Sequence, residues 1–98
     1  MDPQKIYALV RKIPSGKVST YQELAKAAGE PKAARAVGKI LSKNPDLIKT
    51  PCHRIVRSDG IVGGYAGGEK EKIRLLEKEG LTVITGKILA FQEKKFQY

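Results

Sequence analysis

Proline and glycine divide the first half of this chain into three short segments in which apolar residues recur at helical spacing. The breaks lie at Pro14 and Gly16, at Gly29 and Pro31, and at Asn44-Pro45. Asp2-Pro3 places an N-cap residue before a proline at the first helical position, which is typical of a helix start. At these breaks a proline cannot continue a helix, and a glycine can end one in the left-handed conformation. We therefore expect helices over about 3–12, 21–28 and 32–43.

The second and third segments, joined by a short glycine-containing turn, form a helix-turn-helix pattern. The side of the third helix predicted to pack inward is Ala33, Val37, Ile40 and Leu41, and its cationic side is Lys32, Arg35, Lys39 and Lys43. Ala34, Ala36 and Gly38 are small, so this helix could approach a groove closely with Arg35 as its one long projection. The alternative is the solvated cationic face of an ordinary surface helix.

The second half is predicted to contain short strands and one more helix. The expected strands are 53–56, 61–62, 81–84 and 87–91, and the expected helix is about 69–79 with Gly80 as its stop. Ser58-Asp59-Gly60 would turn the first pair of strands into a hairpin, and Thr85-Gly86 would turn the second. The charged last residues are expected to fray. The fold class is therefore mainly α with small β-hairpins.

The composition sets several bounds. The 98 residues imply one domain, residues 1–98. A lone cysteine precludes an intramolecular disulfide and fits a reducing compartment, and one Cys with one His cannot supply the usual ligands of a structural zinc site. We expect no metal and no other cofactor. No apolar run approaches the ~20 residues that span a bilayer, and no secretory signal is visible, so we expect a cytoplasmic protein without a membrane partner.

The net charge of +9 is concentrated at one end, because the first 43 positions hold nine basic and three acidic residues. A cationic surface of this kind attracts nucleic-acid phosphate, although it does not distinguish DNA from RNA or from an anionic membrane. The alternative is a lysine-rich surface that serves solubility alone.

The only cysteine and the only histidine are adjacent, in Pro51-Cys52-His53-Arg54. A thiolate is a strong nucleophile, and an imidazole readily moves a proton near neutral pH. The pair therefore indicates nucleophilic chemistry at Cys52. The alternative is a buried structural cysteine beside an incidental histidine, since free cysteine is among the most buried residue types.

A glycine-rich loop follows at Gly63-Gly64-Tyr65-Ala66-Gly67-Gly68. It is not a phosphate-binding loop, because the Lys-Ser/Thr ending is missing. Four glycines in six residues allow unusual backbone angles or the close approach of a ligand. Tyr65 in its centre favours a pocket wall over the alternative, a flexible linker.

These motifs together resemble the DNA-binding, active-site domain of the O6-alkylguanine-DNA alkyltransferases, over about residues 3–80. The matching motifs are Ser19-Thr20-Tyr21-Gln22-Glu23-Leu24-Ala25, Lys32-Ala33-Ala34-Arg35-Ala36-Val37-Gly38, Asn44-Pro45, Pro51-Cys52-His53-Arg54, the Gly63–Gly68 loop and Leu75-Leu76-Glu77-Lys78-Glu79-Gly80. The resemblance implies a winged helix-turn-helix-like domain that repairs DNA by moving an alkyl group from O6 of guanine onto its own cysteine, once per molecule. It does not cover residues 81–98, the C-terminal hairpin and tail, which we expect only to pack.

The resemblance also implies roles for individual residues. Cys52 is the acceptor, His53 deprotonates it through a water, and Glu79 orients His53. Asn44 hydrogen-bonds around the active-site turn, and Tyr21 helps turn the target nucleotide out, after which Arg35 fills the gap. The DNA-binding set is then Arg35, Tyr21, Ala34, Lys32, Lys39 and Gly38, and the substrate pocket is Pro51, Val62, Tyr65, Ala66 and Gly67. A base inside a duplex cannot present its alkyl carbon for in-line attack, which agrees with extrusion.

Two other functions remain open at this stage. Alkyltransferase-like proteins bind alkylated guanine without transfer and typically lack the acceptor cysteine, so Cys52 favours transfer. A helix-turn-helix regulator whose Cys52 senses oxidation is the third interpretation, and it leaves the Tyr21, Asn44 and Glu79 matches unexplained. The expected partner is double-stranded DNA containing O6-alkylguanine, bound by a monomer in the nucleoid, or in the nucleus of a eukaryote.

Overall fold

The computed structural model describes all 98 residues as five α-helices around two small two-stranded sheets. The helices are α1 (Pro3–Arg11), α2 (Tyr21–Ala27), α3 (Ala34–Ser42), α4 (Glu69–Lys78) and α5 (Phe91–Lys94), with a 3-10 helix at Cys52–Arg54. The strands are β1 (Ser19–Thr20), β2 (Ile55–Val56), β3 (Val83–Ile84) and β4 (Lys87–Ile88). This confirms the predicted mainly α, winged helix-turn-helix-like class. No helix has the length and apolar character needed to cross a membrane.

The first two helices begin where the sequence predicts, because side-chain caps satisfy their free backbone donors. Asp2 Oδ1 accepts from the backbone N–H of Gln4 at 2.9 Å, and Thr20 Oγ1 accepts from that of Glu23 at 3.0 Å. α3 begins two residues later than expected, at Ala34, because the N–H of Ala33 still closes a turn onto the Glu30 carbonyl at 2.9 Å.

Two apolar clusters form the core, and strand β2 separates them. The first is Ile6, Tyr7, Val10, Ile13, Leu24, Ala25, Ala28, Val37, Leu41, Cys52 and Ile55, and the second is Val18, Val56, Val62, Leu76, Leu81, Ile88 and Phe91. Successive side chains of a strand point to opposite faces, so Ile55 enters the first cluster and Val56 the second. The helix-turn-helix pair and the C-terminal wing are therefore built on opposite sides of the same strand.

The predicted hairpin between residues 53–56 and 61–62 is wrong. β2 instead pairs in parallel with β1, in the register Ser19–Ile55 and Thr20–Val56, and Ile61 pairs with Lys87. The expected turn does form, since the N–H of Arg57 donates to the carbonyl of Ile61 at 2.9 Å. Burial on both faces makes β2 an interior strand, which needs a partner from another part of the chain.

The C-terminal segment does not fray as expected. The terminal hairpin forms as β3 and β4, shorter than predicted, and α5 follows it. The chain then lies along β1: the N–H of Val18 donates to the Lys94 carbonyl at 2.9 Å and that of Phe96 to the Val18 carbonyl at 2.7 Å. Tyr98 Oη donates to the Leu9 carbonyl at 2.8 Å. Hydrogen bonds to the open edge beside β1 and the packing of the apolar Phe96 therefore order the tail in spite of its charged residues.

Candidate active site

Cys52 lies in the wall of a cavity of about 240 Å³ between the helix-turn-helix pair and the glycine-rich loop. The cavity is lined by Tyr21, Gly38, Leu41, Ser42, Cys52, Gly64, Tyr65 and Ala66. Cys52 is only 6% exposed and occupies the first position of the 3-10 helix, rather than a strand. The thiol is thus held at the junction between a rigid turn and a space that a small ligand could enter.

Two side chains, Asn44 from the loop after α3 and Arg11 from the end of α1, fix the segment that leads to Cys52. Asn44 Nδ2 donates to the Thr50 carbonyl at 2.8 Å, and Asn44 Oδ1 accepts from the N–H of Asp46 at 3.0 Å. Arg11 Nε donates to Thr50 Oγ1 at 3.1 Å. Buried Asn44 therefore spans the loop after α3, and the loop cannot move without breaking these bonds.

His53 and Glu79 are brought together although they are 26 positions apart in the sequence. His53 Nε2 lies 2.9 Å from Glu79 Oε2, and His53 is buried. Burial lowers the pKa of His53, while Glu79 opposes that shift. In the neutral ring, Nε2 carries the proton that the carboxylate accepts, which leaves the lone pair on Nδ1. Nδ1 is buried and has no protein hydrogen-bond partner, so it is free to accept a proton.

Arg54 is a third member of this group, and the sequence analysis assigned it no role. Its Nη2 lies 2.6 Å from Glu79 Oε2 and its Nη1 donates to the Ile13 carbonyl at 2.8 Å. Burial alone would raise the pKa of the Glu79 carboxyl, but hydrogen bonds from Arg54 and His53 outweigh burial and lower it. Glu79 is therefore an anion around neutral pH.

Lys72 is the second functional candidate that sequence reasoning missed. It is completely buried, and its Nζ donates to the carbonyls of Ile55 at 2.6 Å and Gly64 at 3.0 Å. Burial lowers its pKa to about 8, with Cys52 and Glu69 opposing the shift. The available signal was its position four residues before Leu76 on the inward side of α4. The ammonium ties the pocket wall at Gly64 to strand β2.

The protonation of Cys52 depends on the same lysine. Burial raises the pKa of the thiol, whereas the Asn44 amide and the Lys72 ammonium lower it. The raised pKa means that the resting thiol keeps its proton at neutral pH and needs a base to become the thiolate. A positive charge near the sulfur then favours the ionised form.

Two tyrosines complete the cavity. Burial, followed by the charge of Cys52, raises the pKa of Tyr21, so its hydroxyl stays protonated and can donate a hydrogen bond. Burial, Cys52 and Glu71 raise the pKa of Tyr65. The ring of Tyr65 meets that of His53 edge to face, with 6.3 Å between centroids. A planar base between these side chains would meet one donor and one aromatic face.

Three of the predicted pocket residues do not line the cavity. Val62 points into the second apolar cluster because it follows the turn at residues 58–60 into the wing. Pro51 is buried between Thr50 and Cys52 and does not reach the cavity wall. Gly67 lies behind Tyr65, where an added Cβ would come 2.8 Å from the ring carbon Cε2. Tyr65 and Ala66 do line it, together with Leu41, Ser42 and Gly64, which were not predicted.

The predicted DNA-binding residues lie on the outer side of the helix-turn-helix pair. Lys32, Arg35 and Lys39 are exposed, while Ala34 and Gly38 are half-buried. A groove of about 280 Å³ at the start of α3 is lined by Tyr21, Gln22, Pro31, Lys32, Ala34, Arg57 and Ser58. Arg57 and Ser58 belong to the turn after β2, so the groove adds residues from outside the helix-turn-helix that sequence reasoning missed.

Comparison with known proteins identifies the family. Residues 3–81 match the family described as the 6-O-methylguanine DNA methyltransferase, DNA binding domain. The chain belongs to this family. It is 48% identical over 96 residues to a bifunctional methyltransferase/endonuclease of Thermoplasma volcanium, covering 94% of this chain and 29% of that protein. It is 49% identical over 77 residues to the human methylated-DNA–protein-cysteine methyltransferase, covering 79% of this chain and 37% of that protein.

The same fold occurs in a solved structure of similar length. The structure of S. pombe Atl1 in complex with damaged DNA containing O6-carboxymethylguanine has a TM-score of 0.83 and 32% identity, and the match covers 98% of this chain and 94% of that one. By contrast, the chain spans well under half of the two curated relatives named above. No group of three or more His, Cys, Asp or Glu side chains converges as a metal site would require.

Proposed function

We propose that this protein repairs DNA by transferring an alkyl group from O6 of guanine to Cys52. The observation that carries the proposal is the placement of the only cysteine in the wall of a cavity that also presents Tyr21 and Tyr65. The methyltransferase names of relatives at 48% and 49% identity support it. No other nucleophile of comparable strength lines the cavity.

In the proposed reaction the sulfur of Cys52 attacks the alkyl carbon in line with the bond to O6. The S–C bond forms as the C–O bond breaks, and guanine leaves with the electron pair as an anion, which the Tyr21 hydroxyl can stabilise by a hydrogen bond and which then takes a proton from water. The thiol proton passes to Nδ1 of His53 through a bridging water, because adjacent side chains seldom touch directly. The protonated imidazole is then stabilised by Glu79, whose Oε2 lies 2.9 Å from Nε2. The thioether is not hydrolysed, so each molecule reacts once.

The cavity can receive only a nucleotide that has left the duplex. Extruding a base costs a few kcal/mol, which an inserted side chain partly offsets. We propose that Arg35 occupies the vacated position, because it is exposed on α3 between the small residues Ala34 and Ala36. Tyr21 lies at both the cavity and the outer groove, and so it would contact the nucleotide as it turns.

The exposed cations of α3 and the turn after β2 would bind phosphates on either side of the damaged nucleotide. Lys32 and Arg57 line one groove, and Lys39 lies further along α3. Binding through phosphates releases counterions, so affinity for duplex DNA should fall steeply as salt rises. We propose that one molecule acts alone on chromosomal DNA, which places the protein in the nucleoid, or in the nucleus of a eukaryote.

A second candidate function is recognition of the damage without transfer. It is favoured by the Atl1 structure, which matches nearly the whole of this chain and contains DNA with O6-carboxymethylguanine. Cys52 favours transfer over this alternative. The two functions differ in one observable, the formation of a covalent bond to sulfur.

The deciding experiment is the intact mass of the protein after mixing with a duplex that carries one O6-methylguanine. A gain of one methylene on the peptide containing Cys52, saturating at one per molecule, is expected. Cys52→Ser serves as the matched control, because it should still bind the damaged duplex but gain no mass. Selective binding by the wild-type protein without any mass gain would overturn transfer and establish the sensor function.

A further inference from the structure

The carboxylate that orients His53 is held mainly by Arg54. Arg54 Nε lies 3.0 Å from Glu79 Oε1 and 3.2 Å from Oε2, and Nη2 lies 2.6 Å from Oε2. The remaining Nη1 is anchored on the Ile13 carbonyl just after α1. The guanidinium therefore fixes the plane of the carboxylate in a fork, and the fork itself is fixed to the first apolar cluster.

A second Arg–Glu pair on α4 shows that this arrangement is not ordinary surface pairing. Arg74 and Glu71 lie three residues apart on the helix, and their side chains are 61% and 37% exposed. In the pair of Arg54 and Glu79, the side chains are 16% and 15% exposed. Only the enclosed pair contacts a histidine.

The charges around His53 explain what the fork does. Glu79, at the end of α4, is the only acidic group that contacts the imidazole, while Arg54 and Lys72 both act on it as cations. Cys52 precedes His53 in the same turn, and Tyr65 meets its ring from the glycine-rich loop. Because Arg54 already neutralises Glu79, the net charge facing the imidazole does not favour the imidazolium.

We propose that Arg54 is a positioning residue that acts on His53 through Glu79, holding the imidazole neutral, with its proton on Nε2 and its lone pair on Nδ1. With the carboxylate locked in one plane, only Nε2–H can donate to it. Without the fork, the carboxylate can rotate and the ring can flip or exchange tautomers. In that case Nδ1 would carry the lone pair in only some of the molecules before the reaction, and only those could accept the thiol proton.

The test uses the fact that His53 is the only histidine, so its ring nitrogens can be observed by ¹⁵N NMR without ambiguity. The wild-type protein should show one neutral tautomer with the proton on Nε2. Arg54→Met should give a mixture of tautomers and a higher titration midpoint, because a cation is removed while Glu79 remains. Arg54→Lys keeps the charge but loses the fork, so it should keep the midpoint and still mix the tautomers. Arg74→Met, the matched control, should leave both unchanged.

Both outcomes of the NMR test are decisive. A folded Arg54→Met or Arg54→Lys protein with the wild-type tautomer would overturn the inference. If Arg54→Met does not fold, Arg54→Lys decides, and Glu79→Gln gives a second measure. The double variant Glu79→Gln/Arg54→Lys should have the same tautomer ratio as Glu79→Gln alone, because Arg54 is proposed to act on His53 only by way of the Glu79 carboxylate. A further change of tautomer there would show that Arg54 acts by another route.

The consequence for alkyl transfer rests on the proposed function. At saturating damaged duplex, Arg54→Lys should slow single-turnover transfer by about tenfold, while the Kd for the duplex stays the same. The NMR measurement needs no DNA. If the wild-type protein failed to transfer the alkyl group, the proposed function would be contradicted, but the conclusion about the tautomer would be unaffected. An altered tautomer with an unchanged transfer rate would show that the positioning does not serve the reaction.

Discussion

The cavity separates two kinds of surface that are built in different ways. On the recognition side, Tyr21, Arg35 and Gly38 come from two consecutive helices, and their placement follows from local spacing. Behind the thiol lies a charged layer of Arg54, Lys72 and Glu79, which are enclosed and come from two distant segments. The first surface faces solvent, and it is the one proposed to contact DNA. The second is largely enclosed, and within it the Lys72 ammonium acts on the thiol through its charge.

The difference teaches that binding and chemistry should be separable in this molecule. Substitutions on the recognition side should change the affinity for duplex DNA and leave the intrinsic reactivity of Cys52 alone. Substitutions in the charged layer should do the reverse. The rate of reaction with iodoacetamide measures the reactivity of the Cys52 thiol without DNA, so both the affinity for duplex DNA and the thiol reactivity can be measured for each variant.

The largest effect is expected for Arg35→Ala. If Arg35 fills the stack as proposed, its loss should weaken binding to the damaged duplex by about 2 kcal/mol, or roughly thirtyfold in Kd. Transfer should slow as well, while alkylation of Cys52 by iodoacetamide stays at the wild-type rate. Lys43→Ala removes one charge at the far end of α3 and is the control. An equal loss of affinity in the two variants would mean that Arg35 contributes charge only.

Lys72→Met should have the opposite profile. Removing the ammonium takes away a charge that lowers the pKa of the Cys52 thiol, so that pKa should rise further. A rise of one unit corresponds to about tenfold less thiolate at neutral pH. The rate of Cys52 alkylation by iodoacetamide, measured across pH 6–10, would reveal the shift in the titration midpoint of the thiol. The Kd for undamaged duplex should stay unchanged. An unchanged midpoint would remove Lys72 from the chemistry.

The same lysine should also leave a signature in stability. Its pKa in the folded protein is about 8, below its ordinary value of 10.5, so the unfolded chain binds a proton that the folded chain releases between these values. The free energy of unfolding should therefore rise with pH above 8, by at most about 1.4 kcal/mol per pH unit. Urea unfolding at pH 8 and 9 would measure this slope. Lys72→Met should lack it, and equal slopes in both proteins would contradict the assignment.

The smallest effect concerns the shape of the cavity. In Gly67→Ala the added Cβ would lie 2.8 Å from Tyr65 Cε2, so the ring must shift toward the cavity. The transfer of bulky alkyl groups should be slowed more than the transfer of methyl. The ratio of transfer rates for O6-benzylguanine and O6-methylguanine should fall by about fivefold, less than a full misfit of one methylene would cost. Since each variant is compared on two substrates, the methyl reaction is its own control. A constant ratio would show that Tyr65 yields outward.

The recognition side could be predicted from sequence because its signals are local. The Thr20 cap, the Gly29 stop and the apolar stripe around Val37 define α2 and α3 without reference to the rest of the chain. The adjacency of Cys52 and His53 is visible in the same way. Prediction worked where a pattern of a few residues decides the structure.

The charged layer could not be predicted from residue patterns, because burial of a charge depends on partners that are distant in sequence. Lys72 is buried only because the carbonyls of Ile55 and Gly64 face it, and nothing near Lys72 indicates them. The link between His53 and Glu79 came from family resemblance and not from spacing. The hairpin expected at residues 53–62 failed for a related reason, since β2 pairs with β1 across 36 positions.

The placement of β2 has a consequence for how this molecule moves. Ile55 and Val56 are fully buried in different apolar clusters, so we expect their amides to exchange with solvent only when both halves of the core open. Cys52 lies three residues before this segment, whereas much of the Gly63–Gly68 loop opposite it is exposed. The nucleophile is therefore the stationary partner of the pair. We expect any opening of the cavity to come from the exposed part of the glycine-rich loop, residues 66–68, beyond the Gly64 carbonyl that Lys72 holds, and amide exchange should be faster there than in β2.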